Sequence, residues 1–124
     1  MSALINKLLA LPLLLRQLFF WATWSAATAV MLLPTSSLPT VNIWDKAEHA
    51  GTFATLMTLA WLAYQHRFSH HILVLSLVLY GVTTECIQHF IPSRSFSVLD
   101  MVADTVGVLF AWLLIRLLEK QHGA

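Results

Sequence analysis

Charged residues are scarce in this chain. Only 10% of its 124 residues are Asp, Glu, Lys or Arg, whereas 58% are hydrophobic, and the mean hydropathy is clearly positive. This small number of polar side chains could not cover the surface of a folded domain in water. The composition therefore argues against a soluble domain and predicts a membrane protein. A bilayer core of about 30 Å requires about 20 mostly apolar residues per helix, so the length allows about four membrane-spanning helices.

A strong excess of positive charge and pairs of cysteines are also lacking. The net charge is only +1, from seven Lys and Arg against six Asp and Glu, and proteins that bind nucleic acid instead concentrate basic residues on one face. Cys86 is the single cysteine, which excludes an internal disulfide and a zinc site built from several cysteines. We therefore expect the lipid bilayer, and no nucleic acid, as a partner.

The apolar residues form four long runs, separated by segments of turn-forming or basic residues. We predict helices over residues 13–33, 43–65, 71–90 and 98–118, each long enough to cross a bilayer. The predicted fold is an all-α membrane protein, in which a bundle of four transmembrane helices forms a single domain over residues 1–124.

The beginning of the chain also fits a second interpretation. Basic residues at Lys7 and Arg16 precede an apolar stretch that contains Ala27-Thr-Ala29, and this order is typical of a cleaved signal peptide. The apolar run, however, continues to Leu33, past the expected cleavage point. We therefore favour a membrane-spanning helix whose small residues let another helix approach closely.

Lys and Arg residues are distributed unevenly between the two ends of the predicted helices. Two of them, Lys46 and Arg94, lie near one end. The other five lie near the opposite end: Lys7, Arg16, Arg67, Arg116 and Lys120. By the positive-inside rule, both termini are cytoplasmic and the loops at 34–44 and 90–98 are external. This predicts a multi-pass protein of the plasma (inner) membrane.

Polar residues recur at helical spacing near the predicted external ends of three helices. The pairs are Asp45 and His49, Glu85 and Gln88, and Asp100 and Asp104. Residues three or four positions apart lie on one face of a helix. A rise of about 1.5 Å per residue also places Glu85 and Asp104 inside a hydrophobic core of about 30 Å. Because charges at that depth usually face a bundle interior and mark function, we expect the three polar faces to converge.

Several of these segments resemble motifs of the VanZ-like family of small membrane proteins. The resemblance covers about residues 10–118, and the motifs occur in the family's order. The matching segments are Asp45-Lys46-Ala-Glu-His49 for Asp-Lys-x-x-His, Glu85-Cys-Ile-Gln88 for Glu-x-x-Gln, Pro92-Ser-Arg94 for Pro-x-Arg, and Asp100 to Gly107 for Asp-x-x-x-Asn-x-x-Gly. Two positions depart from the pattern, because Asp104 replaces the usual Asn and Glu48 is an additional acidic residue.

The resemblance implies a location and a phenotype rather than a reaction. The family's namesake is associated with resistance to glycopeptide antibiotics such as teicoplanin, which act on cell-wall precursors at the outer face of the membrane. The resemblance therefore implies a role in cell-envelope physiology, with a cell-wall precursor or a glycopeptide as the expected partner. A role that requires a neutral amide at position 104 is in doubt, because this chain has a carboxylate there.

The candidate polar site combines the motif residues with the converging faces. Five predicted external carboxylates outnumber the two basic residues on that side, which favours a functional site over simple ion pairing. The candidate residues are Asp45, Lys46, His49, Glu85, Gln88, Arg94, Asp100 and Asp104.

Four interpretations of this site stay open. The charges could pair and only clasp the helices together, or the site could bind or transport an envelope component. In an enzyme, His49 or Glu85 would act as general base while Lys46 and Arg94 hold a phosphate or carboxylate of a lipid-linked substrate. A divalent metal would use mixed nitrogen and oxygen ligands; the weak candidates are His49, Glu85, Asp100 and Asp104. Neither Gly-x-Ser-x-Gly nor His-Glu-x-x-His occurs, so enzyme status and cofactor stay open.

Overall fold

The computed structural model describes residues 2–32, 43–91 and 98–121, and these residues contain helices and no strand. The helices, in chain order, are α1 Ser2–Leu9, α2 Leu13–Leu32, α3 Ile43–Tyr64, α4 His70–Gln88 and α5 Val98–Gln121. The predicted all-α class is therefore confirmed. The four long helices lie close to the ranges predicted from the apolar runs, whereas α1 was not predicted as a separate helix.

The break between α1 and α2 occurs at Pro12. Its ring lacks an N–H group, so proline is tolerated at the start of a helix but not inside one. The Pro12 carbonyl accepts a hydrogen bond from the backbone N–H of Arg16 at 3.1 Å and so begins the hydrogen-bond ladder of α2. The chain bends by 94° between the two helices, so α1 is nearly perpendicular to α2.

Helix α3 is the centre of the bundle and packs against α2, α4 and, most extensively, α5. Phe53, Leu56 and Met57 of α3 have no exposed surface and form the middle of the hydrophobic core. Gly107 permits the close approach of α5, because a Cβ atom at this position would lie 2.9 Å from the carbonyl carbon of Ala50. A small residue at the crossing point is typical of helix packing in membranes.

Large apolar side chains cover the outside of the bundle. Leu75 and Leu79 on α4 and Phe110 and Leu113 on α5 are all exposed, and a surface of this kind is suited to lipid rather than to water. Two segments, α4 and residues 98–120 of α5, are long and apolar enough to cross a membrane. The bent pair α1 and α2 would be a third if it forms one span. The described residues therefore provide two or three candidate spans, and α3 is not among them.

The end of the bundle opposite the candidate site is held by a different set of polar contacts. Arg16 donates from Nη1 to the carbonyl oxygen of Leu62 at 2.6 Å, near the C-terminus of α3, where a cation complements the helix dipole. His70 at the start of α4 lies 3.3 Å, Nε2 to Oε1, from Glu119 near the end of α5. These contacts connect α2 to α3 and α4 to α5.

Candidate functional site

The candidate site lies at one end of the bundle, where the N-terminal ends of α3 and α5 meet the C-terminal end of α4. We call this the site end. Lys46 and His49 of α3 face Asp100 and Asp104 of α5, because the three- and four-residue spacings place each pair on one side of its helix. Lys46 Nζ forms an ion pair with Asp100 Oδ1. The α3 and α5 parts of the sequence-predicted site therefore lie in direct contact.

His49 lies between the two aspartates. Its Nδ1 atom is 2.8 Å from Asp104 Oδ1, a hydrogen-bond distance, and its Nε2 atom is 3.6 Å from Asp100 Oδ2. The first contact fixes the orientation of the ring, because one imidazole nitrogen faces a carboxylate acceptor. The second nitrogen is turned toward the Lys46 and Asp100 pair. The four side chains therefore form one continuous chain of contacts from α3 to α5.

Helix α4 adds two polar side chains that are almost completely buried. Glu85 is 1% exposed and Gln88 is 2% exposed, so both face the bundle and not lipid, as their spacing predicted. Gln88 Nε2 donates to the carbonyl oxygen of Met31 at 2.6 Å. This hydrogen bond satisfies a carbonyl in the last turn of α2, where helical partners are missing, and it connects α2 to the site end.

Gly81 lies one helical turn before Glu85, on the same face of α4. A Cβ atom at this position would be 3.1 Å from Asp104 Oδ2 and 3.2 Å from Phe53 Cε2. The absence of a side chain therefore lets the Asp104 carboxylate reach the backbone of α4. Gly81 and the Met31 carbonyl were not predicted as parts of the site, although the i, i+4 spacing from Gly81 to Glu85 indicates that the glycine shares the face of Glu85.

One oxygen of Asp104 is not satisfied. The residue is 2% exposed, and within the described parts of the chain its Oδ2 atom is buried without a hydrogen-bond partner. A buried acceptor without a donor costs roughly 1–3 kcal/mol, and more for a charged group. The site thus includes one buried oxygen whose position lowers the stability of the fold rather than raising it.

Two of the eight candidate residues are outside this description. Asp45 belongs to the first turn of α3, but its side chain is outside the described residues, and so is Arg94 in the segment 92–97. Among the side chains that are described, no group of three or more His, Cys, Asp and Glu is arranged to hold a metal ion. The geometry above therefore concerns six residues: Lys46, His49, Glu85, Gln88, Asp100 and Asp104.

Fold and site together define an all-α protein with helices able to span a membrane and, between α3, α4 and α5, a charged cluster formed by Lys46, His49, Glu85, Asp100 and Asp104. The VanZ/LLP1 family matches residues 7–119, so the chain belongs to this family, and the resemblance found in the motifs is confirmed. No curated protein and no solved structure matches the chain significantly.

Proposed function

We propose that this protein is a multi-pass protein of the plasma membrane and acts in cell-envelope physiology through the charged cluster at the site end. In this proposal α2, α3, α4 and α5 all cross the membrane, both termini are cytoplasmic, and the site end is external. Helix α3 can cross because it packs against α2, α4 and α5 and because Lys46 and His49 face Asp100 and Asp104 of α5, since charges in membrane helices are tolerated when they face a bundle interior. The VanZ/LLP1 match supports the membrane location and the envelope role.

The observation that carries this proposal is the burial of the cluster. Glu85, Asp100 and Asp104 are each less than one-tenth exposed, and burial of each charge costs several kcal/mol before any pairing is counted. A clasp between two helices needs only the pair formed by Lys46 and Asp100. The additional carboxylates, one of them with an unsatisfied oxygen, favour a site that acts on an envelope component such as a cell-wall precursor.

Glycopeptide tolerance is the phenotype we propose, and Glu85→Gln tests whether the cluster produces it. The protein would be expressed in a glycopeptide-susceptible host, and the minimal inhibitory concentration of teicoplanin would be measured together with the amount of protein in the membrane. We expect the wild-type chain to raise tolerance and Glu85→Gln to abolish the increase at an unchanged protein level. Arg94→Ala should have the same effect.

The control for this experiment is Glu119→Gln, which makes the same chemical change at the opposite end of the bundle. It should retain full tolerance. If tolerance and membrane abundance fall together in Glu85→Gln, the cluster is a structural clasp. If the wild-type chain raises no tolerance, the proposed phenotype is wrong.

A second candidate function is catalysis on a lipid-linked or phosphate-bearing envelope substrate. The observation that favours it is the contact between Asp104 and His49 Nδ1, because a histidine oriented by a carboxylate through one nitrogen can accept a proton at the other. Purified protein would be incubated with labelled envelope precursors. An enzyme converts them and loses turnover in His49→Gln, whereas a binding protein retains them unchanged.

A further inference from the structure

A groove between α2 and α3 is separate from the charged cluster. Its volume is about 570 Å³, within the range of roughly 300–1,000 Å³ that is usual for ligand pockets. Small residues form its walls, including Ala26 and Ala27 of α2 and Gly51 and Thr55 of α3. Gly51 forms an open part of the floor, because a Cβ atom added there would meet nothing within 4 Å.

The walls of the groove suit a hydrocarbon chain. Thr55 donates its hydroxyl to the carbonyl oxygen of its own helix at Gly51, at 2.8 Å, so it does not require a polar partner from outside. From Glu48 to Thr55 the helix rises by about 10 Å, which is roughly two-thirds of one leaflet of the hydrocarbon core. An apolar chain that fills a groove of this depth between two helices gains packing contacts that an empty groove lacks.

Glu48 lies at the end of the groove nearest the site end and gives the groove a charge. The side chain is exposed, and it makes no hydrogen bond or ion pair with any residue the structure describes. It lies about 100° around the helix from His49 and therefore points away from the charged cluster. A carboxylate at the rim of an apolar groove is complementary to a ligand with a cationic head and an apolar tail.

The same charge argues against a second copy of the chain as the occupant. A symmetric dimer brings the same surface of both subunits together, so an interface built on this groove would place one Glu48 carboxylate near the other. Repulsion between like charges opposes this contact. A lipid with a positively charged amine does not meet this objection.

We propose that the α2–α3 groove binds an acyl chain of an amine-bearing phospholipid, of the phosphatidylethanolamine class, whose ammonium group pairs with Glu48. The chain fills the space beside Gly51, and the headgroup stays at the membrane surface at the level of the carboxylate. This site is distinct from the charged cluster. It rests on the topology of the proposed function, in which α2 and α3 cross the membrane, but not on the proposed role of the cluster.

Lipid retention by the full-length protein tests the proposal. Protein in detergent would be mixed with equal amounts of phosphatidylethanolamine and phosphatidylglycerol with identical acyl chains, and bound lipid would be counted by native mass spectrometry. We expect the wild-type protein to favour phosphatidylethanolamine about tenfold, which corresponds to about 1.4 kcal/mol. Glu48→Gln should remove this preference.

Gly51→Leu tests the groove itself, because a Cβ atom there meets nothing within 4 Å and the larger side chain would occupy the floor. It should abolish lipid retention. The matched control Thr83→Leu places the same side chain on an exposed part of α4 and should retain lipid. Circular dichroism would verify folding of both variants, and Glu48→Gln decides the matter if Gly51→Leu does not fold.

Three results would overturn the proposal. Equal retention of the two lipids by the wild-type protein would exclude recognition of the amine. Unchanged retention by Gly51→Leu would show that the lipid binds elsewhere. A dimer in the wild-type spectrum that Gly51→Leu converts to monomer would identify the groove as an interface between copies of the chain.

Discussion

At the scale of single residues, Asp104 is the group whose surroundings fit it least well. One carboxylate oxygen has His49 as a partner, whereas the other is buried against Gly81 and has no hydrogen-bond partner among the described residues. Most buried polar atoms in proteins have such a partner, so an exception suggests strain or function. Asp104 is also the position at which this chain departs from the amide usual in the motif of its family.

Two substitutions at Asp104 separate the role of its charge from that of its hydrogen bond. Asp104→Asn keeps an oxygen acceptor for His49 and removes the buried charge, so we expect the free energy of unfolding to change by less than about 1 kcal/mol. Asp104→Leu removes the acceptor, and we expect a loss of about 1–3 kcal/mol. Reversible unfolding in mixed detergent micelles, followed by circular dichroism, measures both values. Equal losses in the two variants would mean that the charge, and not the hydrogen bond, holds His49.

At the scale of helices, the sequence predicted what is local and missed what depends on contacts between elements. Long apolar runs located α2 to α5, and three- and four-residue spacings predicted which polar side chains share a face of one helix. The 94° bend before α2 was not predicted, because α1 is short and its direction depends on its surroundings. The pairing of Lys46 with Asp100 was one of several combinations that spacing allowed. The pairing is decided by how far α3 is shifted along its axis relative to α5. That shift depends on the close packing of Gly107 against Ala50.

Glycines on two faces of the bundle test this account of the register. Gly107→Ala would place a methyl group against the Ala50 backbone, which must move because a carbonyl cannot change rotamer. We expect the free energy of unfolding to fall by about 1–3 kcal/mol, as is usual for overpacking. Gly51→Ala meets nothing within 4 Å and should instead be neutral or stabilising by up to about 1 kcal/mol, because alanine favours helix more than glycine.

Unfolding of the two alanine variants in the same micelles compares them directly. The difference between them should also appear at the site. Separation of α3 from α5 in Gly107→Ala would move Lys46 away from Asp100, so this variant should lose any activity of the cluster that Gly51→Ala retains. Equal stability of both variants would contradict close packing at Ala50.

At the scale of the whole molecule, the number of membrane spans is the property on which the proposed function depends. With four crossings, the cluster residues of α3, α4 and α5 all lie on the same side of the membrane as the loops 34–44 and 90–98. If α3 did not cross, both of its ends would lie on the same side of the membrane. The cluster could then not be external while both termini are cytoplasmic. Helices α4 and α5 are long and apolar enough to cross a membrane by themselves. The crossing of α3 depends instead on its packing against α2, α4 and α5.

Accessibility of single cysteines in the full-length chain distinguishes these topologies. In a Cys86→Ser background, cysteines at Ser36, Gln65, Ser93 and Gly123 would be labelled in intact cells with a maleimide that does not cross membranes, and again after lysis. With four crossings and cytoplasmic termini, Ser36→Cys and Ser93→Cys react in intact cells, whereas Gln65→Cys and Gly123→Cys react only after lysis. The same result for Ser36→Cys and Gln65→Cys would show that α3 does not span the membrane. The charged cluster would then require a different route to its ligand, because the N-terminal end of α3 would no longer face the side opposite to its C-terminal end.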